Sequence, residues 1–250
     1  MFRLRVALAS RLRLHLVEAM SRNQLDAFLR LLKKSPSGAV FNPWWEVDKE
    51  NDIGRNAAAI RRNQLRAYLR KRLRTAQLAV IGEAVGYRGG HFTGIPMTSE
   101  RLLLGRSEKV RLKSNHFFSD ISPRRTSKLE NCPDGFSEPA ATIVWCALLR
   151  LGLKPDQFVL WNAFPWHSFD PRRGRLSNRM PNNSERAAGL PVLKAFLELF
   201  QCDRVVALGT IAAAQLKELD VNAHCLRHPA SGGARLFRQQ IASLVQNASH

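Results

Sequence analysis

Residues 78–87 read LAVIGEAVGY: a short apolar run, Leu78–Ile81, followed by Gly82-Glu83-Ala84-Val85-Gly86-Tyr87, with Phe92 shortly after. An apolar run of this length bounded by glycine is the pattern of a fully buried strand. Two later stretches repeat it. FVLW (Phe158–Trp161) leads into Asn162-Ala163-Phe164-Pro165-Trp166-His167, and Ala223-His224-Cys225-Leu226 leads into Arg227-His228-Pro229-Ala230-Ser231-Gly232-Gly233. In an open parallel sheet, ligands bind beyond the carboxyl ends of the strands. Three polar loops in that position converge on one pocket, where a carboxylate, an amide, a histidine and an aromatic ring would meet.

The flanking sequence supplies helices between these strands. Asn56–Arg74 carries an apolar stripe (Ala59, Ile60, Leu65, Tyr68, Leu69, Leu73) at helical spacing. Glu138-Pro139 opens a helix over Ala140–Leu151 that Gly152 ends. Further helices are expected over Ala187–Phe200, Ile211–Leu219 and Arg235–Gln246, around a strand at Arg204–Leu208. Strands alternating with helices predict an α/β fold with a mainly parallel sheet. Residues 1–40 read as a basic helical N-terminal extension, broken at Ser35-Pro36-Ser37-Gly38, and residues 41–250 as the α/β domain. Residues 105–136 are polar, basic and rich in Ser, Pro and Asn, and read as a long loop or insertion.

Charge narrows the partners. The chain has 39 Lys and Arg against 20 Asp and Glu, a formal charge of +19. Such an excess points to a polyanion, most commonly nucleic acid. No apolar run is long enough to span a bilayer, so no membrane partner is expected. The run Arg61, Arg62, Arg66, Arg70, Lys71, Arg72 and Arg74 reads equally as a solvated helix face or as a footprint on phosphates. Residues 1–20 are Arg-rich, as in an organellar presequence, but periodic apolar residues continue past Met20 and favour a basic helix. Cys132, Cys146, Cys202 and Cys225 form no C-x-x-C pair, which excludes zinc-ribbon and ordinary cluster patterns. Buried free thiols in a reducing cytoplasm are expected.

The chemistry that these residues allow is limited. There is no P-loop, no acid cluster for paired magnesium ions, no G-x-S-x-G elbow and no lysine nucleophile beside the three loops. The remaining groups suit hydrolysis of a glycosidic bond to a flipped base. His228 would donate to O2 of the departing pyrimidine anion. Glu83 would orient or activate water against the anomeric carbon. Phe92 would stack on the base and the Asn162 amide would read its Watson–Crick edge. Each has a plainer reading: Gly82 and Gly86 as turn residues, Glu83 as a helix-start carboxylate, His167 as structural, His224 packed beside the last strand. Trp44 and Trp45 would cover the sheet edge. His91 is open between the two kinds of reading.

Taken together, Gly82-Glu83-Ala84-Val85-Gly86, Asn162 at a strand end and His228-Pro229-Ala230-Ser231 resemble the signature segments of the uracil-DNA glycosylase superfamily. The resemblance runs from about Phe41 to Leu244 and includes Gly209-Thr210 with its Ala-rich helix. It implies a three-layer α/β/α sandwich around a central four-stranded, mainly parallel sheet, with no metal or other cofactor needed for the chemistry. It implies catalytic roles for His228 and Glu83, and base contacts from Phe92, Asn162, Gly86 and Tyr87. DNA contacts fall to Ser231, Gly232, Arg235, Arg88, Arg172, Arg173 and Thr210. Arg235 or Leu236 would fill the gap that the flipped base leaves. The chain departs from the family pattern in having Val85 where proline is usual, and Ala84 where several branches place an Asp or Asn. It resembles GEAPG-type branches without their iron–sulfur cysteines. Gly86 stands where uracil-specific members place a Tyr against C5, which predicts an open C5 side.

The expected function is that of a cytoplasmic, monomeric and monofunctional DNA glycosylase. Its substrate is either uracil, in repair, or a C5-modified pyrimidine such as a hypermodified phage cytosine, in antiviral defence. The alternative is a catalytically silent nucleic-acid binder that keeps the pocket as a base sensor.

Overall fold

The computed structural model describes residues 23–246. Residues 1–22, with most of the basic extension, lie outside the described residues. Residues 23–31 form helix α1, whose Leu25, Phe28 and Leu29 are buried. The central sheet holds β2 (Leu78–Ala84), β3 (Phe158–Phe164), β5 (Arg204–Leu208) and β6 (His224–Leu226) in the order β3-β2-β5-β6, all parallel. A second, two-stranded antiparallel sheet pairs β1 (Val40–Phe41) with β4 (His167–Ser168).

Topology decides which helix covers which face. The step from β2 to β3 through α6 (Pro139–Arg150) runs one way along the sheet. The steps through α7 (Asn183–Phe200) and α8 (Thr210–Glu218) run the other way. Right-handed crossovers then place α6 on one face and α7 and α8 on the opposite face. α9 (Ala234–Gln246) returns to pack on α6. Ring contacts agree: Trp145 of α6 lies edge-on to Phe158 at 5.1 Å, while Phe196 of α7 stacks on Trp161 at 4.9 Å. Successive strand residues point to opposite faces. The result is the expected α/β/α sandwich.

The edge strand β3 is closed by α2 (Ala57–Arg72). The Tyr68 hydroxyl accepts from the Leu160 amide at 2.9 Å, and Arg72 Nε donates to the Phe158 carbonyl at 3.1 Å. With these two groups engaged, α2 covers this part of the edge against pairing with another strand.

This use of α2 takes Arg61 and Arg72 out of the basic run read as a solvated face or a phosphate footprint, while Arg66, Arg70 and Arg74 stay exposed. Arg61 and Arg72 are fully buried. Arg61 grips Asp52 in a bidentate pair, at 2.6 and 3.0 Å, and donates to the Pro43 and Glu46 carbonyls. Arg72 lies 3.8 Å over the Tyr68 ring and donates to Phe117 and His116 carbonyls. Arg66 and Arg70 pair with Asp26 and Asp120. The C-terminal end of α2 also sits at the amino ends of the strands, the pole away from the three loops. Buried guanidinium groups bonded to backbone carbonyls, as those of Arg61 and Arg72 are, act as structural ties.

Elsewhere the structure refines several expectations. Residues 105–136 are irregular apart from a short helix, α5 (Ser114–Phe117), and pack on the domain through buried Leu112, Phe117 and Phe118. The buried Glu100 carboxylate pins it by accepting from the Thr126 and Ser127 amides at 2.8 and 3.0 Å. β2 and β3 each run three residues beyond the apolar stretch, because Gly82 pairs with Asn162 and Ala84 with Phe164. α7 begins at Asn183, since Asn182 and Glu185 form a capping box. His224 is exposed, whereas Trp44 is fully buried beneath Trp161.

Candidate active site

The strand order reverses at β2, so the loops leaving β2 and β5 part toward opposite faces and leave a crevice between them. A cleft of about 520 Å³ opens there, lined by Glu83, Gly209, Thr210, His228, Ser231 and Leu236 among others. It brings together Glu83, His228, Thr210 and Ser231, four of the residues singled out above. Among the described residues no cluster of His, Cys, Asp and Glu could hold a metal ion, and no helix is long and apolar enough to cross a membrane.

The tautomer of His228 follows from its neighbours. Its Nδ1 accepts from the Ala230 amide at 3.1 Å, so the ring proton sits on Nε2. Burial, aided by the adjacent Arg227, pushes its pKa below the ordinary histidine value. Near neutral pH the side chain is a neutral imidazole with an Nε2–H donor available. Glu83 is half-buried, and burial raises its carboxyl pKa against the pull of Arg186. By strand alternation, Glu83 leaves the sheet on the face opposite Gly82 and Asn162.

The other expected residues lie on that second face, with Asn162 and Phe92 buried and Gly86 and Tyr87 half-buried. Asn162 Nδ2 donates to the Ala84 carbonyl at 3.1 Å, while its Oδ1 is shut off from solvent without a partner. The arrangement depends on Gly82: a Cβ there would lie 2.7 Å from Asn162 Nδ2 and 3.2 Å from Met97 Sδ. Phe92 is fully buried, and Phe136 lies parallel on it at 4.7 Å and 7°. The face on which a base would stack is therefore taken by another ring. Tyr87 sits edge-on to Phe136 at 6.2 Å, its amide held by Asn178 Oδ1 and its hydroxyl by Arg88 Nε. The space beside Gly86 is not open as expected. The Glu138 carboxyl fills it, with Oε1 3.1 Å from where a Gly86 Cβ would be.

Of the residues expected to meet DNA, Thr210, Ser231, Gly232, Arg235, Arg88, Arg172 and Arg173 are all exposed. Thr210 heads α8 at the cleft. Leu236, rather than Arg235, is the exposed apolar side chain on the rim.

His91 and His167 belong to a buried chain behind this site. His167 Nε2 faces the Ser177 carbonyl at 2.8 Å, so its Nδ1 accepts from His91 Nδ1–H at 2.9 Å. His91 Nε2 lies 3.2 Å from Asp48 Oδ2. Burial pushes His167 down to about 4. The chain ties the β1–β4 corner to the helix that carries Phe92. The cysteines are free, and burial pushes the Cys202 thiol up to about 12, which leaves it inert near neutral pH.

Sequence reading missed Phe136, Glu138 and Asn178. Glu138 carried a local signal only as the residue before a helix-opening proline. Its contacts with Gly86 and Gly89 join segments far apart in the chain, which periodicity cannot register.

Comparison with known proteins agrees with this picture. The model of the family "Uracil DNA glycosylase superfamily" matches residues 71–245. Among solved structures, the crystal structure of wild-type SMUG2 from Pedobacter heparinus is similar, with a TM-score of 0.58 and 14% identity, over 90% of this chain and 98% of that one. At that identity the likeness speaks for the fold. No curated protein matches the chain.

Proposed function

The chain belongs to the uracil DNA glycosylase superfamily, and from that premise we propose that it is a monofunctional DNA glycosylase. It flips a pyrimidine out of the stack and hydrolyses its N-glycosidic bond, leaving an abasic site. The observation that carries this reading is His228: a neutral imidazole with Nε2–H free, set in the cleft at the sheet's switch point beside Glu83.

The proposed steps follow from where the groups lie. The flipped base enters on the Asn162 face, where Oδ1 accepts an N–H of its Watson–Crick edge. Phe92 offers the stacking face once Phe136 has swung aside. The sugar remains at the rim of the strands, where Glu83 looks into the cleft. Glu83 takes a proton from water as the water oxygen bonds to the anomeric carbon. The carbon–nitrogen bond breaks and its electron pair goes to the base, with charge spread onto O2. His228 Nε2–H donates to that oxygen, a type of interaction typically worth about 3–4 kcal/mol. Ser231, Gly232, Arg235, Arg88, Arg172, Arg173 and Thr210 hold backbone phosphates, and Leu236 enters the vacated stack.

Both substrate classes remain within this reading: uracil in repair, and a pyrimidine with a polar substituent in defence against phage with altered DNA. The test is base release by mass spectrometry, with the protein incubated on uracil-containing DNA and on DNA bearing modified cytosines. Free base, with abasic sites left in the strand, supports the reading. Tight DNA binding with no base released from any duplex overturns it in favour of a base-sensing binder.

A further inference from the structure

Glu138 is the N-cap residue of α6, yet its side chain makes no capping hydrogen bond. It turns instead toward the loop after β2. There a Cβ on Gly86 would press on Oε1, and one on Gly89 would overlap Oε2. Glycine at both positions makes room for this one carboxyl. Oε2 is cut off from solvent and has no hydrogen-bond partner. A buried polar atom left unpaired is destabilising. Such a group on the wall of a ligand pocket is accounted for when the ligand completes it.

The surroundings place this carboxyl beside the Phe92 ring. Phe136, two residues before Glu138, lies flat on Phe92, and Tyr87, next to Gly86, lies edge-on to Phe136. Asn178 approaches Gly86 from the third side, with Nδ2 3.7 Å from the position of a Cβ. Phe136 thus lies on the face of Phe92 that a flat heterocycle would take, and the Glu138 carboxyl stands two residues along the chain from that ring.

We infer that Glu138 determines substrate specificity, its carboxyl hydrogen-bonding a polar exocyclic group, such as hydroxymethyl or amino, on the edge of the flipped pyrimidine that faces Gly86. This rests on the glycosylase reading above. Burial pushes the Glu138 carboxyl up to about 7. Near neutral pH a large share of it is protonated and offers one donor as well as acceptors. A hydroxymethyl group satisfies both roles of the acid. A methyl group of nearly the same size would seal Oε2 away with nothing to bond. Sites built to bond a hydroxyl reject the analogue without it far more strongly than apolar pockets separate sizes.

The experiment compares dissociation constants for duplexes carrying one 2′-fluoroarabino nucleotide, which resists cleavage. The base is uracil, thymine, 5-hydroxymethyluracil, cytosine or 5-hydroxymethylcytosine. Wild-type protein is expected to prefer each hydroxymethyl base over its unsubstituted parent, and 5-hydroxymethyluracil over thymine by about tenfold or more. Glu138→Leu should collapse that ratio to near one, and Glu138→Gln, which keeps a donor and an acceptor, should retain part of it. Equal affinities in the wild type, or the same ratio in Glu138→Leu, would overturn the inference. Glu138→Ala gives the same comparison if the leucine variant does not fold. Binding to these duplexes needs no catalysis. Base release with an unchanged ratio therefore defeats the role of Glu138 alone, whereas absence of release from any cleavable duplex defeats the glycosylase reading.

Discussion

On one side of the sheet's carboxyl edge, Glu83, Thr210, His228 and Ser231 stand around an open cleft of about 520 Å³. On the other, Phe92, Asn162 and Glu138 are shut in by Phe136, Met97 and the Glu100-pinned segment that follows. The open side is made of chain that turns on itself: the His228 ring is held by an amide two residues away. The closed side is held by long-range contacts, such as the Thr126 hydroxyl on the Phe92 carbonyl at 2.6 Å. Chemistry at an exposed nucleotide needs a donor that it can reach, whereas base recognition needs a rigid, dry wall in which an unmatched polar group is penalised. In the proposed reaction, opposite faces of one sheet would meet the two requirements separately.

The largest test of this division is His228→Ala. The rate of base release should fall about 10²- to 10³-fold with DNA affinity little changed, as measured by single-turnover kinetics beside equilibrium binding. A parallel loss of affinity would mean that the two sides do not work separately.

Glu138 probes the closed side through pH. Its carboxyl titrates near 7 in the folded chain against an ordinary value of 4.5, so the folded state binds its proton more tightly than the unfolded chain. The stabilising contribution is complete below about 4.5 and is lost as pH rises through about 7. Relative to Glu138→Gln, the wild type should lose on the order of 3 kcal/mol across that window, measured by urea unfolding at several pH values. A constant difference would show that the carboxyl is solvated after all.

Gly82→Ala sharpens the comparison from the strand itself. The new Cβ would press on Asn162 Nδ2 and Met97 Sδ, displacing the amide without touching the cleft. Specificity constants should fall about ten- to a hundredfold, while the pH dependence set by Glu83 and His228 stays put. Phe136→Ala should act in the opposite sense. Removing the ring that covers Phe92 should lower KM several-fold, at a stability cost of about 1 kcal/mol for the lost stack, read from KM and the melting temperature.

The smallest effect belongs to the rim. Alanine at both Arg172 and Arg173 should weaken DNA binding at low salt and reduce the slope of log affinity against log salt by about two, with the saturating rate unchanged. If the slope does not move, the phosphates are held elsewhere.

Much of this site was legible because its parts are local. Asn162 and His228 stand just after apolar runs, which brings both near the carboxyl edge of the sheet, although Asn162 itself lies within β3. The burial of two arginines of the basic helix was not legible for a related reason. A run of like charge looks the same whether its guanidiniums face water or thread inward to backbone carbonyls, as those of Arg61 and Arg72 do. The 105–136 segment lacks periodicity, yet it is pinned by the single carboxylate of Glu100, which its own composition does not announce.

By itself, the sequence determined the strand–helix alternation, the crossover connections and the loops that reach the carboxyl edge, because apolar periodicity and turn chemistry act over a few residues. Only the tertiary structure decided that Glu83 and Asn162 face opposite sides, that Phe136 covers Phe92, and that Glu138 occupies the room beside Gly86. Those outcomes depend on register and on packing between distant segments, where a side chain's surroundings are set by residues that are not its neighbours in the chain.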